Sequence, residues 1–203
     1  MKKIYKILIT IITILLLLFL INFVRNYFIL KIIYNAGNSF NQGDNYKIQE
    51  KINTSHSNDT ISIYYLNNKY LYEEKNDKEE YIRIIFQNLN NNEYSEFISN
   101  ASGTLTPVYV QEQDNKSEYI KQFIYCKNYK FSDLLKNNIF KIIKKDNECY
   151  IINISNQYEY INKKNGLLTK IKSSINNIDI EIIFEKNVVD EKNFDINQYF
   201  INS

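Results

Sequence analysis

The chain opens with an uninterrupted apolar stretch and then changes to an alternation of apolar and polar positions. Ile7 to Val24 carry no charge, and 15 of these 18 residues are Ile, Leu, Phe or Val. Extended back to Ile4, the stretch makes a helix of about 31 Å, which matches a hydrocarbon core of roughly 30 Å. We therefore expect residues 1–25 to form a cytoplasmic stub and a transmembrane anchor.

A cleaved signal peptide is the alternative for this stretch. Cleavable apolar regions are roughly 7–15 residues long and end at small residues. The first small pair here is Ala36-Gly37, and Tyr34 and Asn35 occupy positions before it where cleavage needs small side chains. We expect an uncleaved anchor, and lipoprotein processing is excluded because the first cysteine is Cys126.

Basic residues around the stretch predict its orientation. Arg25 and Lys31 follow it, and three lysines precede it: Lys2, Lys3 and Lys6. Because basic residues stay on the cytoplasmic side, the N-terminus is expected inside. The prediction is a single-pass protein of the cell membrane whose large domain, residues 26–203, is extracytoplasmic.

The segment from Arg25 to Phe40 remains apolar. Gly37 is a candidate helix stop, and five residues recur at helical spacing: Phe28, Ile29, Ile32, Ile33 and Ala36. This pattern indicates a helix that leaves the bilayer and packs an apolar face on the domain. A simple prolongation of the membrane helix is the alternative.

From Tyr46 onward, apolar and polar residues alternate over short segments, as in half-buried β-strands. Clusters of Asn, Asp, Ser and Gly between these segments supply turns. Their spacing predicts an antiparallel sheet. The candidate strands are Tyr46–Ile52, Ile61–Tyr65, Ile82–Phe86, Val108–Val110, Ile120–Ile124, Tyr150–Ile154, Leu168–Lys172 and Ile178–Phe184.

Two segments depart from the alternation. Apolar residues recur at helical spacing in Leu89–Asn100 and in Ser132–Phe140, where Ser132 or Asp133 can act as the N-cap. We expect two short helices under or beside the sheet. The predicted fold class is α+β and mainly β, with one domain after the transmembrane helix.

The clearest turn signal lies in Tyr160–Ile171, where Asn165-Gly166 separates two alternating runs. Asn-Gly is the strongest short-range marker of a hairpin because both residues tolerate positive φ. Asn176-Asn177 is a candidate for the next turn.

This hairpin, followed by Ile182–Asp190 and Asn193–Asp195, resembles the C-terminal half of LolA/LolB-like lipoprotein-carrier proteins. Those proteins carry a string like Y-I-D-x-x-T-G-L-P-x-K, then F-x-N-V and D-x-x-F. The chain is most similar to small membrane-anchored members in low-GC Gram-positive bacteria, and it departs from the first string at Asn162 and Leu168.

The resemblance implies a strongly curved antiparallel sheet, a half-barrel, with a few short helices on its concave side. In the family's carriers that concave side holds acyl chains, which implies a lipid or a lipoprotein acyl chain as partner here. The shared strings consist of turn residues, so they support the fold more than the function.

Charge argues against a nucleic-acid partner. The formal net charge is +2, and leaving out Lys2, Lys3, Lys6 and Arg25 gives −2 for residues 26–203. A nucleic-acid binder concentrates Lys and Arg on one face. The pairs Lys144-Lys145 and Lys163-Lys164 stand beside turn residues and are interpreted as solvated loop charges.

Residues suited to catalysis are sparse. His56, the only histidine, lies in a polar turn, so neither a catalytic triad nor a histidine-metal site is expected. The carboxylate pairs Glu73-Glu74, Glu79-Glu80 and Asp190-Glu191 lie among lysines and are interpreted as solvated surface. The glycines are isolated and make no phosphate-binding loop. We predict no enzymatic activity, no metal and no cofactor.

Cys126 and Cys149 are the only cysteines. In an exported domain they can form a disulfide, which would constrain the unfolded chain by about 3 kcal/mol. Two buried free thiols are the alternative.

Aromatic residues are abundant, with 18 Tyr and 12 Phe. They suit an apolar cavity on a sheet face, although tyrosine is also a good strand former. The leading hypothesis is a membrane-tethered binding module for a lipid or another apolar group. The alternative is a structural or protein-interaction component of a cell-envelope complex. A continuous apolar cavity of roughly 300 Å³ or more on the concave face would favour binding. Filling of this face by the helices over Arg25–Phe40 and Ser132–Phe140 would favour interaction.

Overall fold

The computed structural model describes residues 2–108, 122–124, 130–154, 156–173, 175 and 177–200. Its first element, α1 (Lys2–Ser39), is one unbroken helix that is long and apolar enough to cross a membrane. Thr10 and Thr13 donate their hydroxyls to the carbonyls of Lys6 and Ile9, at 2.9 and 2.8 Å. The polar groups are thereby satisfied within the helix, as an apolar environment requires.

The second half of α1 packs against the rest of the protein. Its buried residues are Asn26, Leu30, Ile33 and Gly37, which follow one another at intervals of three and four. This spacing places them on one face of a helix. The segment after the apolar stretch is therefore both a prolongation of the first helix and a core element.

The predicted apolar face of this segment was partly wrong. Phe28 and Ile32 were expected to pack on the domain, yet their side chains are 58% and 46% exposed. Gly37 does not stop the helix, which ends at Ser39. The buried face is instead the side that carries Leu30 and Ile33, because this side packs against the sheet.

Within the described residues, eleven strands form one antiparallel sheet. The remaining helices are α2 (Phe131–Asn138) and two 3-10 helices, Glu191–Phe194 and Ile196–Tyr199. The strands are β1 (Asn45–Asn53), β2 (Asn58–Leu66), β3 (Lys69–Lys75), β4 (Tyr81–Asn88), β5 (Glu93–Ser99), β6 (Leu105–Val108), β7 (Ile143–Lys145), β8 (Cys149–Ile154), β9 (Gln157–Asn162), β10 (Leu168–Ser173) and β11 (Asp179–Lys186).

The sheet joins two meanders through its first and last strands. The strand order is β6-β5-β4-β3-β2-β1-β11-β10-β9-β8-β7. β1 pairs with β11 over its length, from Tyr46 opposite Lys186 to Asn53 opposite Asp179. β6 and β7 are the two edges, so the sheet is open. The predicted fold class, a helix followed by a mainly β, α+β domain with an open antiparallel sheet, is confirmed.

One face of the sheet is covered by α1 and α2. Leu30 and Ile33 of α1 and Leu134 of α2 join sheet residues such as Ile152 and Ile161 in one buried cluster. A second cluster on this face, around Tyr46, continues toward β2 and β3. The helices therefore cover β7 to β10 and pack their own side chains against these strands.

The opposite face of β2 to β5 is covered by the C-terminal segment. Val189 and Phe194 are buried there with Leu71, Ile84 and Phe86. An Asp190 capping box starts the first 3-10 helix. Both faces of this half of the sheet therefore contribute apolar core.

Burial on two faces explains one wrong prediction. Leu89–Asn100 was expected to be a helix, but it contains β5. Glu96 is buried on one face against Arg83, while Phe97 contacts Phe200 on the other, with ring centroids 5.1 Å apart. A strand covered on both sides carries large residues on both, which imitates helical spacing.

Other expected elements have mixed outcomes. The strands in the β1, β2, β4, β8, β10 and β11 regions and the α2 helix are confirmed, whereas β3 and β7 were missed. Lys130, not Ser132 or Asp133, is the N-cap of α2 and makes no side-chain cap. The expected strands over Val108–Val110 and Ile120–Ile124 extend outside the described residues. Ile124 makes a bridge to Leu167.

The predicted hairpin joins β9 to β10. Asn162 N donates to Leu167 O at 2.8 Å, and Gly166 N donates to Asn162 O at 2.9 Å. Gly166 alone of the Asn-Gly pair has positive φ, +68°. A Cβ there would lie 2.5 Å from Gly37 N and 2.8 Å from Gly37 Cα. Two glycines thus allow the backbone of α1 to lie directly on the hairpin loop.

We expect Gly166→Ala to lower the free energy of unfolding by about 2–4 kcal/mol, because positive φ and a backbone clash act together. Gly103→Ala is the matched control, since Gly103 has φ +81° and nothing within 4 Å of its Cβ position. The control should lose only about 1 kcal/mol. Urea unfolding of the full chain in detergent micelles measures both. Equal losses would contradict the contact.

Candidate functional site

A cavity of about 490 Å³ remains between α2 and the sheet. Its lining is mixed, with polar residues such as Asn137, Asn138 and Glu159 beside the apolar residues Leu134, Ile154 and Leu168. The expected site was an apolar cavity on the helix-covered face. The cavity at this position has a mixed polar and apolar lining and lies next to the buried cluster of α1 and α2.

A larger cavity of about 800 Å³ lies on the outer side of α1. We call it the α1–β7 groove, because α1 forms one wall and the edge strand β7 the other. Its lining residues are Arg25, Phe28, Ile29, Ile32, Ile142, Ile143, Lys144, Lys145 and Tyr150.

Exposed apolar side chains line both walls of the α1–β7 groove. Phe28 and Ile32 are 58% and 46% exposed, and Ile142 across the groove is 66% exposed. They are exposed because α1 turns its Leu30 and Ile33 side toward the sheet, which leaves the flanking side of an apolar helix uncovered. An exposed contiguous apolar surface with a polar rim is typical of a binding site.

Two adjacent residues of α1 hold the far wall in place. Asn26 is fully buried, and its Nδ2 donates to Ile139 O at 2.8 Å and to Lys141 O at 2.9 Å. The Arg25 guanidinium donates to Ile143 O. These bonds satisfy backbone carbonyls in the segment that connects α2 to the edge strand β7. They hold this segment, residues 139–143, against α1.

Asn26 was not among the residues predicted to matter. The signal was present, because Asn26 is an uncharged polar residue within a helical stretch that is otherwise mostly apolar. Such a residue is either solvated or hydrogen-bonded in the interior. Only the packing of the helix shows that Asn26 is buried.

The rim of the α1–β7 groove is basic. Arg25, Lys144 and Lys145 line it, and none of the described lining residues is acidic. Lys144 and Lys145 are exposed, but they lie on β7 and not in a loop as expected. Residues 26–203 as a whole have a net charge of −2. The positive charge at the rim is therefore a local concentration and does not reflect the charge of the whole domain.

The residues singled out for catalysis or metal binding lie apart from the groove. His56 is exposed in the β1–β2 turn, where its backbone N–H donates to Thr54 Oγ1 at 3.1 Å. Within the described ranges, no group of three His, Cys, Asp or Glu residues is arranged to hold a metal. Cys149 is half-buried with Sγ 3.5 Å from Thr169 Oγ1. Cys126 lies outside the described residues, so the disulfide stays a prediction.

One carboxylate pair differs from expectation. Glu73 is only 8% exposed, and the Tyr199 hydroxyl donates to its Oε1 at 2.6 Å. Burial, together with the Glu73 charge, raises the pKa of Tyr199 above its ordinary value. The same two causes raise the pKa of Tyr64. This network ties the C-terminal segment to the sheet, and it lies on the face opposite α1.

No protein-family model matches the chain, and no curated protein matches it. The likeness to LolA/LolB-like carriers therefore stays a prediction. The fold and the groove define the chain only as an α+β protein with a long apolar N-terminal helix and an open antiparallel sheet.

The Tyr199–Glu73 network predicts a loss of stability at alkaline pH. A tyrosine whose pKa is raised by folding contributes stability that is fully present below about pH 10 and is lost as pH rises above it. Tyr199→Phe should lower the unfolding free energy at neutral pH by about 1–3 kcal/mol, because a buried carboxylate loses a donor. It should also weaken the alkaline dependence.

Urea unfolding at about pH 7 and about pH 11 measures both effects. A Tyr199→Phe variant with the alkaline loss of the wild type would contradict the assignment. Tyr64→Phe provides a second test at the same carboxylate.

Proposed function

We propose that this protein is anchored in the cell membrane by the apolar half of α1, with its N-terminus inside and residues 26–203 extracytoplasmic. The support is the length and composition of α1, together with the basic residues that precede its apolar stretch. Because α1 continues into the core, the domain is held at the outer face of the membrane.

We further propose that the domain binds a lipid in the α1–β7 groove. The observation that carries this is the position of the groove. Its apolar wall, Phe28 and Ile32, begins four residues beyond Val24 on the same uninterrupted helix. An acyl chain can therefore pass from bilayer to groove along one continuous apolar surface.

The size and charge of the groove fit this ligand class. Ligand pockets have volumes of roughly 300–1,000 Å³ and are mostly apolar with a few polar groups, and the groove measures about 800 Å³. Arg25, Lys144 and Lys145 at its rim favour an anionic headgroup. The tether restricts the protein to binding or local transfer of the lipid.

A second function is favoured by the helices that cover this sheet face. Since α1 and α2 pack their own side chains against β7 to β10, the domain can also serve as a structural or interaction component of an envelope complex without a small ligand. In that case the α1–β7 groove would receive a segment of another envelope protein.

We expect the wild-type protein, released from membranes, to retain lipid in native mass spectrometry. Ile32→Asp should lower the lipid-bound fraction about tenfold, because a carboxylate in the groove opposes both acyl chain and anionic headgroup; this corresponds to about 1.4 kcal/mol. The matched control is Ile175→Asp, at an isoleucine that is 68% exposed outside the groove.

The control should bind lipid as the wild type does. A wild-type protein without bound lipid, or equal binding by both variants, would favour the interaction function.

A further inference from the structure

The loop between α2 and β7 exposes two large apolar side chains. Phe140 and Ile142 are each 66% exposed, while the residue between them, Lys141, is half-buried. The carbonyls of Ile139 and Lys141 accept hydrogen bonds from the Asn26 amide. The loop backbone is thus fixed to α1, and the two apolar side chains remain outside the core.

The exposed Phe140 ring packs against the apolar stretch of α1. Its centroid lies 5.5 Å from that of Phe19, with the two rings stacked at 22°, and 6.3 Å from that of Phe23. Both partners belong to the stretch that ends at Val24. The loop therefore reaches back beside the segment that we propose to span the membrane.

The position of Phe19 gives the depth. Phe19 lies five residues before Val24, which is about 7.5 Å along the helix axis. Apolar faces of membrane-surface elements are buried by roughly 5–10 Å at the boundary of headgroups and acyl chains. A side chain stacked on Phe19 lies within that range.

We propose that Phe140 and Ile142 insert into the outer leaflet of the membrane, beside α1. This inference rests on the proposed anchoring by α1. Ile142 also lines the α1–β7 groove but Phe140 does not, so quenching at Phe140 tests insertion separately from lipid binding in the groove. The loop and the helix then give the domain two attachments to the bilayer, which fix its orientation. Lys144 and Lys145, which follow the loop directly, lie at the level of the headgroups.

The experiment uses tryptophan as a depth probe, because the chain contains none. The full chain carries Phe140→Trp and is reconstituted in vesicles of phosphatidylcholine whose acyl chains are brominated. We expect blue-shifted emission that loses most of its intensity to bromine. Ile142→Trp should behave in the same way and covers the case in which Phe140→Trp does not fold.

Two further variants give reference values for quenching inside the bilayer and in water. Leu16→Trp, in the apolar stretch and 64% exposed, reports on α1. Val188→Trp is the aqueous control. Val188 is 53% exposed and follows Asn187, whose N–H donates to Asn45 O beyond the far end of α1.

Quenching at Leu16→Trp without quenching at Phe140→Trp and Ile142→Trp would overturn the insertion of the loop. It would leave the anchoring by α1 intact. Absence of quenching at Leu16→Trp would overturn the anchoring itself. Quenching of Val188→Trp equal to that of Phe140→Trp would also overturn the proposal, because depth would then not distinguish loop and control.

Discussion

The packing of Leu30 and Ile33 against the sheet is the contact on which the rest of the structure depends. These residues belong to the same unbroken helix as the apolar stretch, so the apolar stretch and the core element are parts of one helix. Gly37 and Gly166 allow the end of this helix to lie on the β9–β10 loop at backbone distance. Helix and sheet therefore have one relative orientation.

The α1–β7 groove is a consequence of that orientation. Turning Leu30 toward the sheet leaves Phe28 and Ile32 on the flank of the helix, opposite the edge strand β7. Arg25 and Asn26 then bind the carbonyls of the 139–143 segment and close the wall. The same bonds hold Phe140 against Phe19. The core packing, the groove and the position of the loop between α2 and β7 thus all follow from which side of α1 faces the sheet.

The sheet was largely predictable because most strands have one covered face, and their alternation shows it. β1 and β11 in the middle of the sheet were recognisable in this way. β5 was mistaken for a helix because the C-terminal segment covers its second face with Phe200. Glu73 was predicted to be a surface residue, but the C-terminal segment covers it as well. Its partner Tyr199 is distant in sequence, and no local pattern reveals that contact.

The sequence alone determined the apolar helix, the antiparallel domain and the β9–β10 turn, because each depends on residues close together in the chain. Tertiary structure alone decided which side of α1 is buried, that Asn26 is a core donor, and that Lys144 and Lys145 border a groove. Those properties depend on which surfaces meet after the chain has folded. An apolar residue in a uniformly apolar helix carries no local information about which neighbour will cover it.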